Sequence, residues 1–344
     1  MVTTMRASSP ADLVAAAVAM LQVVPTSSLC VLPTERDRQG GDARVPGAMR
    51  WPVPVAEVAV GDMAGSVGYT VARFGVRRAV AVVFGTQEQA RLSARVLAAV
   101  ADVLEVPVVV STDGQVCRVL NLRTGRCEPA EGVPVRLGAH RFIAEMAWAG
   151  VVALSSEEQL RADYTPMDAE PEPGTFTDSA VWSQFGNPER VGVGFDSAQR
   201  VIAQRLADPS TFTDGDVQLL AAAAHSLLVR DLLWCEITER TAREYQELWR
   251  RVAVRCPAVL AAPALALSGF AAWLTGSGVV ARVAIEQAAV CDPTHRMTQL
   301  VSQMLQGGLS PQVWLQTHAQ TRTHLHADLL DGQQRTEHRP VKAR

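Results

Sequence analysis

The chain has 344 residues, 48% of them hydrophobic and 19% charged, with a formal net charge of −3. This composition fits a folded protein of about two domains and excludes a disordered, collagen-like or disulfide-scaffold chain. The near-neutral balance gives no field that would draw in nucleic acid or an anionic membrane.

In chain order, Pro10-Ala11-Asp12 reads as a helix start and residues 11–23 as a helix. The apolar run Leu13 to Val24 behind Arg6 imitates a signal peptide, but no small-x-small cleavage site follows. Ser28 to Leu32 is a short strand closed by Pro33, and Glu35 to Gly47 is a polar loop. Val55 to Phe74 carries a helical pattern weakened by Gly61, Gly65 and Gly68. Ala79 to Phe84 and Pro107 to Val110 are continuous apolar strands. Between them Gln87 to Leu104 is a helix with Ala90, Ala94, Leu97 and Ala101 on one face. That order predicts a βαβ crossover in a sheet covered on both faces. Val116 to Leu122 alternates and is expected to pair back across Asp113-Gly114. Helices are expected over His140–Val152 and Glu157–Asp163.

Pro166 to Gly174 is Pro-rich and acidic, so 164–192 is expected to be a linker or long surface loop. From Phe195 onward the pattern is helical. Asp196-Ser197 opens a helix to Leu206, Thr213-Asp214 caps one running to about Ile237, and Thr241 to Val254 follows. Shorter helices are expected at 258–274, 277–290, 294–306 and 310–318. Cys256 to Ala281 carries no charge, yet Pro257, Pro263 and Gly276 interrupt it, and it reads as a buried helix pair rather than a membrane span. The expected architecture is an α/β domain over 1–163, with a mixed or mostly parallel sheet and flanking helices, and an all-α domain over 193–318. Residues 319–344 are expected to form a flexible polar tail.

Gly269, Gly276, Ala281, Ala288 and Pro293 are spaced as in the tetratricopeptide consensus. A small residue on the first helix, a glycine turn, two alanines on the packed face of the second helix and a closing proline predict close antiparallel helical hairpins. Leu265 and Gly278 stand where that consensus wants other residues, so the likeness concerns geometry rather than membership.

No Walker A, HExxH or EF-hand pattern occurs. Gly192-Val193-Gly194 lacks the third glycine of a dinucleotide fingerprint, and Gly276-Ser277-Gly278 is a helix turn rather than a nucleophile elbow. The six cysteines form no CxxC pair and read as reduced thiols of a cytosolic protein. His225 reads as a hydrogen-bonded core residue and His324-Leu325-His326 as part of the tail. No cofactor or metal site is expected. Arg230-Asp231, set between Leu227-Leu228-Val229 and Leu232-Leu233-Trp234, is the polar group inside apolar sequence that stands out. Neighbouring helix positions diverge by about 100°. Each charge is therefore expected to find its own partner, with Glu244, Glu247 and Arg250 the candidates.

The stretch Pro10 to Ala16 with Pro25 to Val31, the block Val229-Arg230-Asp231-Leu232-Leu233-Trp234, then Leu248-Trp249, Pro257, Ala261-Ala262-Pro263, Trp273-Leu274-x-Gly276 and Asp292-Pro293-Thr294-His295 together resemble an actinobacterial family known as domain of unknown function 4192. The resemblance spans roughly residues 10 to 314 and implies an architecture but no activity. The binding candidates are Arg230, Asp231, Trp234 and Trp249. The expected role is a cytosolic binding or regulatory module acting through its helical domain or inter-domain cleft on a protein partner. The alternative is a hydrolase- or transferase-type enzyme with a small-molecule site between the domains. Arg77-Arg78 and Arg250-Arg251 are too isolated for nucleic-acid binding.

Overall fold

Six strands of the N-terminal unit, residues 1–157, form one sheet. In a computed structural model they are β1 (Ser28–Pro33), β2 (Met49–Pro52), β3 (Ala79–Phe84), β4 (Val109–Thr112), β5 (Val116–Leu120) and β6 (Cys127–Pro134), in the order β2-β1-β3-β4-β5-β6. The structure describes residues 7–34, 47–148, 156–168, 179–186 and 191–337. The loop expected at 35–46, the last turn of the 140–152 helix and much of the expected linker lie outside them.

Only β3 and β4 are parallel, with Ala81 opposite Val109 and Phe84 opposite Thr112; every other neighbouring pair is antiparallel. The sheet is therefore mixed, and the mostly parallel option falls away. Between β3 and β4 runs α3 (Gln87–Ala99), started by a capping box: Thr86 Oγ1 accepts from Gln89 N at 3.2 Å and Gln89 Oε1 from Thr86 N at 2.9 Å. Helices α2 (Ala59–Arg73) and α3 bury Val67, Val71 and Leu97 against Leu29, Val31, Ala81 and Val83. On the sheet as well packs α1 (Pro10–Leu21), which buries Val14 and Val18 and meets β3, β4 and β5. β4 is buried along its length and β3 everywhere except the half-buried Val80, as two-sided cover requires. β4 starts two residues later than expected and leaves Val108 partly exposed. The edge strands β2 and β6 carry no apolar run that marks them in the sequence. The unit closes with α4 (Arg141–Trp148).

The described part of the second unit, residues 158–344, is helical. It follows from α5 (Glu157–Asp163) and continues with α6 (Ser179–Gly186), α7 (Val191–Ala207), a 3-10 turn (Pro209–Thr211), α8 (Asp214–His225), α9 (Leu227–Cys235), α10 (Ala242–Val254), α11 (Ala258–Leu274), α12 (Gly278–Cys291), α13 (Arg296–Gln306) and α14 (Gln312–Glu337). Three departures from the sequence expectation stand out. First, α6 occupies part of the stretch taken for a linker. Second, α14 carries helix through most of the stretch expected to fray. Third, the helix expected from 214 to about 237 is two, bent by 102° at Ser226. The bend lets α8 lay its alanines on α11 while α9 turns to α14.

α11 is buried on all sides from Ala261 to Leu274. Its partner α12 comes close because Gly269 has no side chain: a Cβ there would lie 2.9 Å from Ile285 Cγ1. Gly276, at φ +77, makes the turn between them. Ala281 and Ala288 are fully buried, and Pro293 follows the end of α12. The hairpin is antiparallel, since Gly269 lies against residues as far beyond the turn as it lies before it. Among the described residues no single helix is long and apolar enough to cross a membrane; α8 and α9 reach that length only as their bent pair.

Candidate functional site

Two places in the helical unit gather polar chemistry. The first is built on the bend between α8 and α9. Arg230, with a side chain 10% exposed, folds back onto its neighbour: Nε and Nη2 both donate to Asp231 Oδ1, at 2.9 and 2.7 Å. The expectation of separate partners on α10 is thus corrected, because the long arginine side chain spans the angle that separates the two Cβ atoms. Glu247 is engaged instead by Arg250 and Arg251, at 2.8 Å each.

The third nitrogen of Arg230, Nη1, lies 3.4 Å from His295 Nε2, in the turn between α12 and α13. A guanidinium only donates, so Nε2 accepts and the ring proton sits on Nδ1, which donates to Thr298 Oγ1 at 2.9 Å. Burial and the Arg230 charge push His295 down to about 4, with Asp292 acting weakly the other way. The imidazole is neutral at physiological pH. Asp292 is itself held below the usual carboxylate range by the Thr294 hydroxyl and N–H, at 2.6 and 2.8 Å. His225, at the end of α8, donates from Nε2 to Leu260 O at 3.1 Å, and desolvation lowers its pKa too. The sequence blocks 229–234 and 292–295, far apart in the chain, therefore meet at Arg230 and His295.

Trp234 and Trp249 do not join this cluster. Trp234 stacks on Trp314 at 5.0 Å and stands edge-on to Phe270. Trp249 is fully buried. The indole nitrogens of both lack a hydrogen-bond partner. Both side chains belong to the core of the helical unit. Gly269, Gly276, Ala281, Ala288 and Pro293 occupy the hairpin already described.

The second place is a pocket of about 220 Å³ between α7, the 3-10 turn and α10. Leu206, Pro209, Phe212 and Leu248 make its apolar surface, and Arg205, Arg243, Glu244, Glu247 and Arg251 its charged rim. The rim is held in place. Arg205 Nε pairs with Asp216 Oδ2 at 3.1 Å, and Arg251 Nη1 donates to Pro209 O at 2.9 Å. Arg255 lies over the Phe212 ring and donates to its carbonyl at 2.9 Å. Burial would raise the Glu247 carboxyl, but the Arg250 and Arg251 guanidiniums hold it below the usual range, so it stays charged. The pocket was not foreseen from the sequence; the alternation of Arg and Glu along 243–251 was the available signal. Among the described residues no group of three His, Cys, Asp or Glu side chains could hold a metal ion.

The family model described as Domain of unknown function (DUF4192) matches residues 10–312. No curated protein and no solved structure matches the chain.

Proposed function

The chain belongs to the DUF4192 family, and from that premise we propose that it is a cytosolic binding module whose helical unit takes a segment of a protein partner. The contact is the pocket between α7 and α10. A side chain of the partner enters it to lie on Leu206, Pro209, Phe212 and Leu248, while Arg243 and Glu244 on the rim pair with flanking charges. The scaffold beneath is the α11–α12 hairpin, of tetratricopeptide-like geometry.

The observation that carries this reading is the separation of pocket and titrating groups. An enzyme gathers shifted acids or bases in the cleft that holds the substrate. Here the strongly shifted His295 lines no part of the pocket, and the one shifted lining residue, Glu247, is an ion-paired carboxylate. Pocket size points the same way: about 220 Å³ suits one large side chain better than a whole small-molecule substrate, for which 300 Å³ or more is usual. The free state of all six cysteines supports a reducing compartment.

The test is a photo-crosslinking residue in place of Arg243, with and without Leu206→Glu. The reading expects crosslinks to a discrete polypeptide that Leu206→Glu abolishes at unchanged melting temperature. Crosslinks that ignore Leu206→Glu, or co-purification of a small molecule in place of any polypeptide, would overturn it.

A further inference from the structure

Helix α2 buries one face and leaves the other bare. Val60, Ala64, Val67 and Val71 pack on the sheet. The outward face runs Val58, Gly61, Asp62, Gly65, Tyr69 and Arg73, at the three- and four-residue spacing of a single helical stripe. Two large apolar side chains stand on it in the open: Val58 is 87% exposed and Tyr69 68%. Val55, just before the helix, is 83% exposed. A Cβ at Gly61 or Gly65 would meet nothing within 4 Å, so another helix could approach closely there.

We propose that this face is a two-fold interface between two copies of the chain, with their α2 helices packed antiparallel. Charge complementarity of the face with itself identifies the occupant. Asp62 lies near the start of the stripe and Arg73 near its end, on the same flank, and neither has an ion-pair partner among the described residues. A two-fold axis through the middle of α2 sets each Asp62 against the Arg73 of the second copy. One rotation therefore makes both ion pairs, as an isologous interface requires. In that register Tyr69 of each copy lies over Gly65 and Ser66 of the other, where the missing side chain leaves room for the ring. An unrelated partner would have to reproduce this spacing of opposite charges; a second copy supplies it by symmetry. The neighbouring acid Glu57 is already taken by Arg95, so it does not compete for Arg73.

The experiment is light scattering and sedimentation equilibrium on the full chain. The wild type is expected to be a dimer at micromolar concentration. Asp62→Arg and Arg73→Asp, each placing like charges opposite one another, are expected to give monomer, and the double reversal to restore the dimer. Tyr69→Ala, which leaves both charges in place, is expected to weaken dimerisation roughly tenfold. All three altered side chains lie on the surface, and melting curves check that each of the four variants is folded. A monomer at every concentration, a dimer indifferent to the single reversals, a double reversal that stays monomeric, or a different protein bound to α2 would each overturn the proposal.

Discussion

In the α/β unit, polar groups that leave the surface mostly bond within a turn of themselves. Ser9 and Asp12 cap α1, Thr86 and Gln89 cap α3, and Asp113 ties the β4–β5 turn through the N–H groups of Gln115 and Val116. Others reach further, as Asp12 does to His140 at 3.1 Å and Arg50 to the Ser28 hydroxyl at 2.8 Å. The helical unit has local caps too, such as Thr213 with Asp216, but several of its polar groups join elements distant in the chain. Arg230 reaches the α12–α13 turn, Arg251 the carbonyl of Pro209, Ser268 the carbonyl of Gln246, and Trp314 the carbonyl of Ile237. A sheet fixes its own geometry through its ladder, so its helices need only local caps and an apolar face. Packed helices have no such ladder, and specific polar bonds between them set which face meets which.

The strongest way to test that contrast is to cut both cores where no polar bond intervenes. Leu97→Ala on α3 and Leu267→Ala on α11 both remove fully buried side chains. Each is expected to cost about 2–5 kcal/mol by denaturant titration. The two losses should be alike, because apolar packing is the feature the units share. A far smaller loss in the helical unit would mean that polar bonds, not packing, hold it.

The units should part company when polar groups are removed. Asp231→Ala strands the nearly buried Arg230 and is expected to destabilise by about 2–4 kcal/mol. Thr86→Ala removes a surface cap and should cost about 1 kcal/mol. Thermal melts compare them directly. An unchanged melting temperature for Asp231→Ala would remove the structural role assigned to the pair.

Acid separates the units further. His295 falls from 6.5 in the unfolded chain to about 4 in the folded one. Between those values the unfolded state binds a proton that the folded state refuses. Stability from this group is therefore complete above pH 6.5 and lost as the pH falls toward 4, on the order of 2 kcal/mol once screening by water at the half-buried ring is allowed for. His225, shifted the same way, adds to the slope. Asp12 behaves differently. Burial would raise its carboxyl, but hydrogen bonds from Ser8 and Ser9 outweigh burial and hold it below the usual range. Its contribution persists through that window and disappears only at lower pH, as the folded-state group itself takes a proton. Hydrogen exchange is expected to show the helical unit loosening first between pH 6.5 and 4, with His295→Gln flattening the slope. Equal loosening of both units would contradict this.

The smallest effect concerns the tryptophans. Trp249→Phe removes an indole nitrogen with no partner, so it loses buried ring volume but no hydrogen bond. Trp314→Phe breaks the bond to Ile237 O, 3.2 Å, and should cost more. Reversal of that order by chemical denaturation would show that shape, not hydrogen bonding, governs both sites.

The residues of β3, α3 and β4 announce their structure because continuous β-branched runs and a capped helix are local properties. The family likeness was legible for the same reason, as short blocks of fixed residues. The close α11–α12 approach could be read from Gly269 and Gly276, whose missing side chains permit only a few arrangements. The rest was decided in three dimensions. The bend at Ser226 interrupts a sequence that favours continuous helix, because α8 and α9 find separate partners in α11 and α14. Arg230 takes its own neighbour rather than Glu247, because a flexible guanidinium can reach back along the helix and Arg250 and Arg251 already hold that carboxylate. The pocket between α7 and α10 exists only where two helices and a turn diverge, and no single stretch of sequence encodes the space between them.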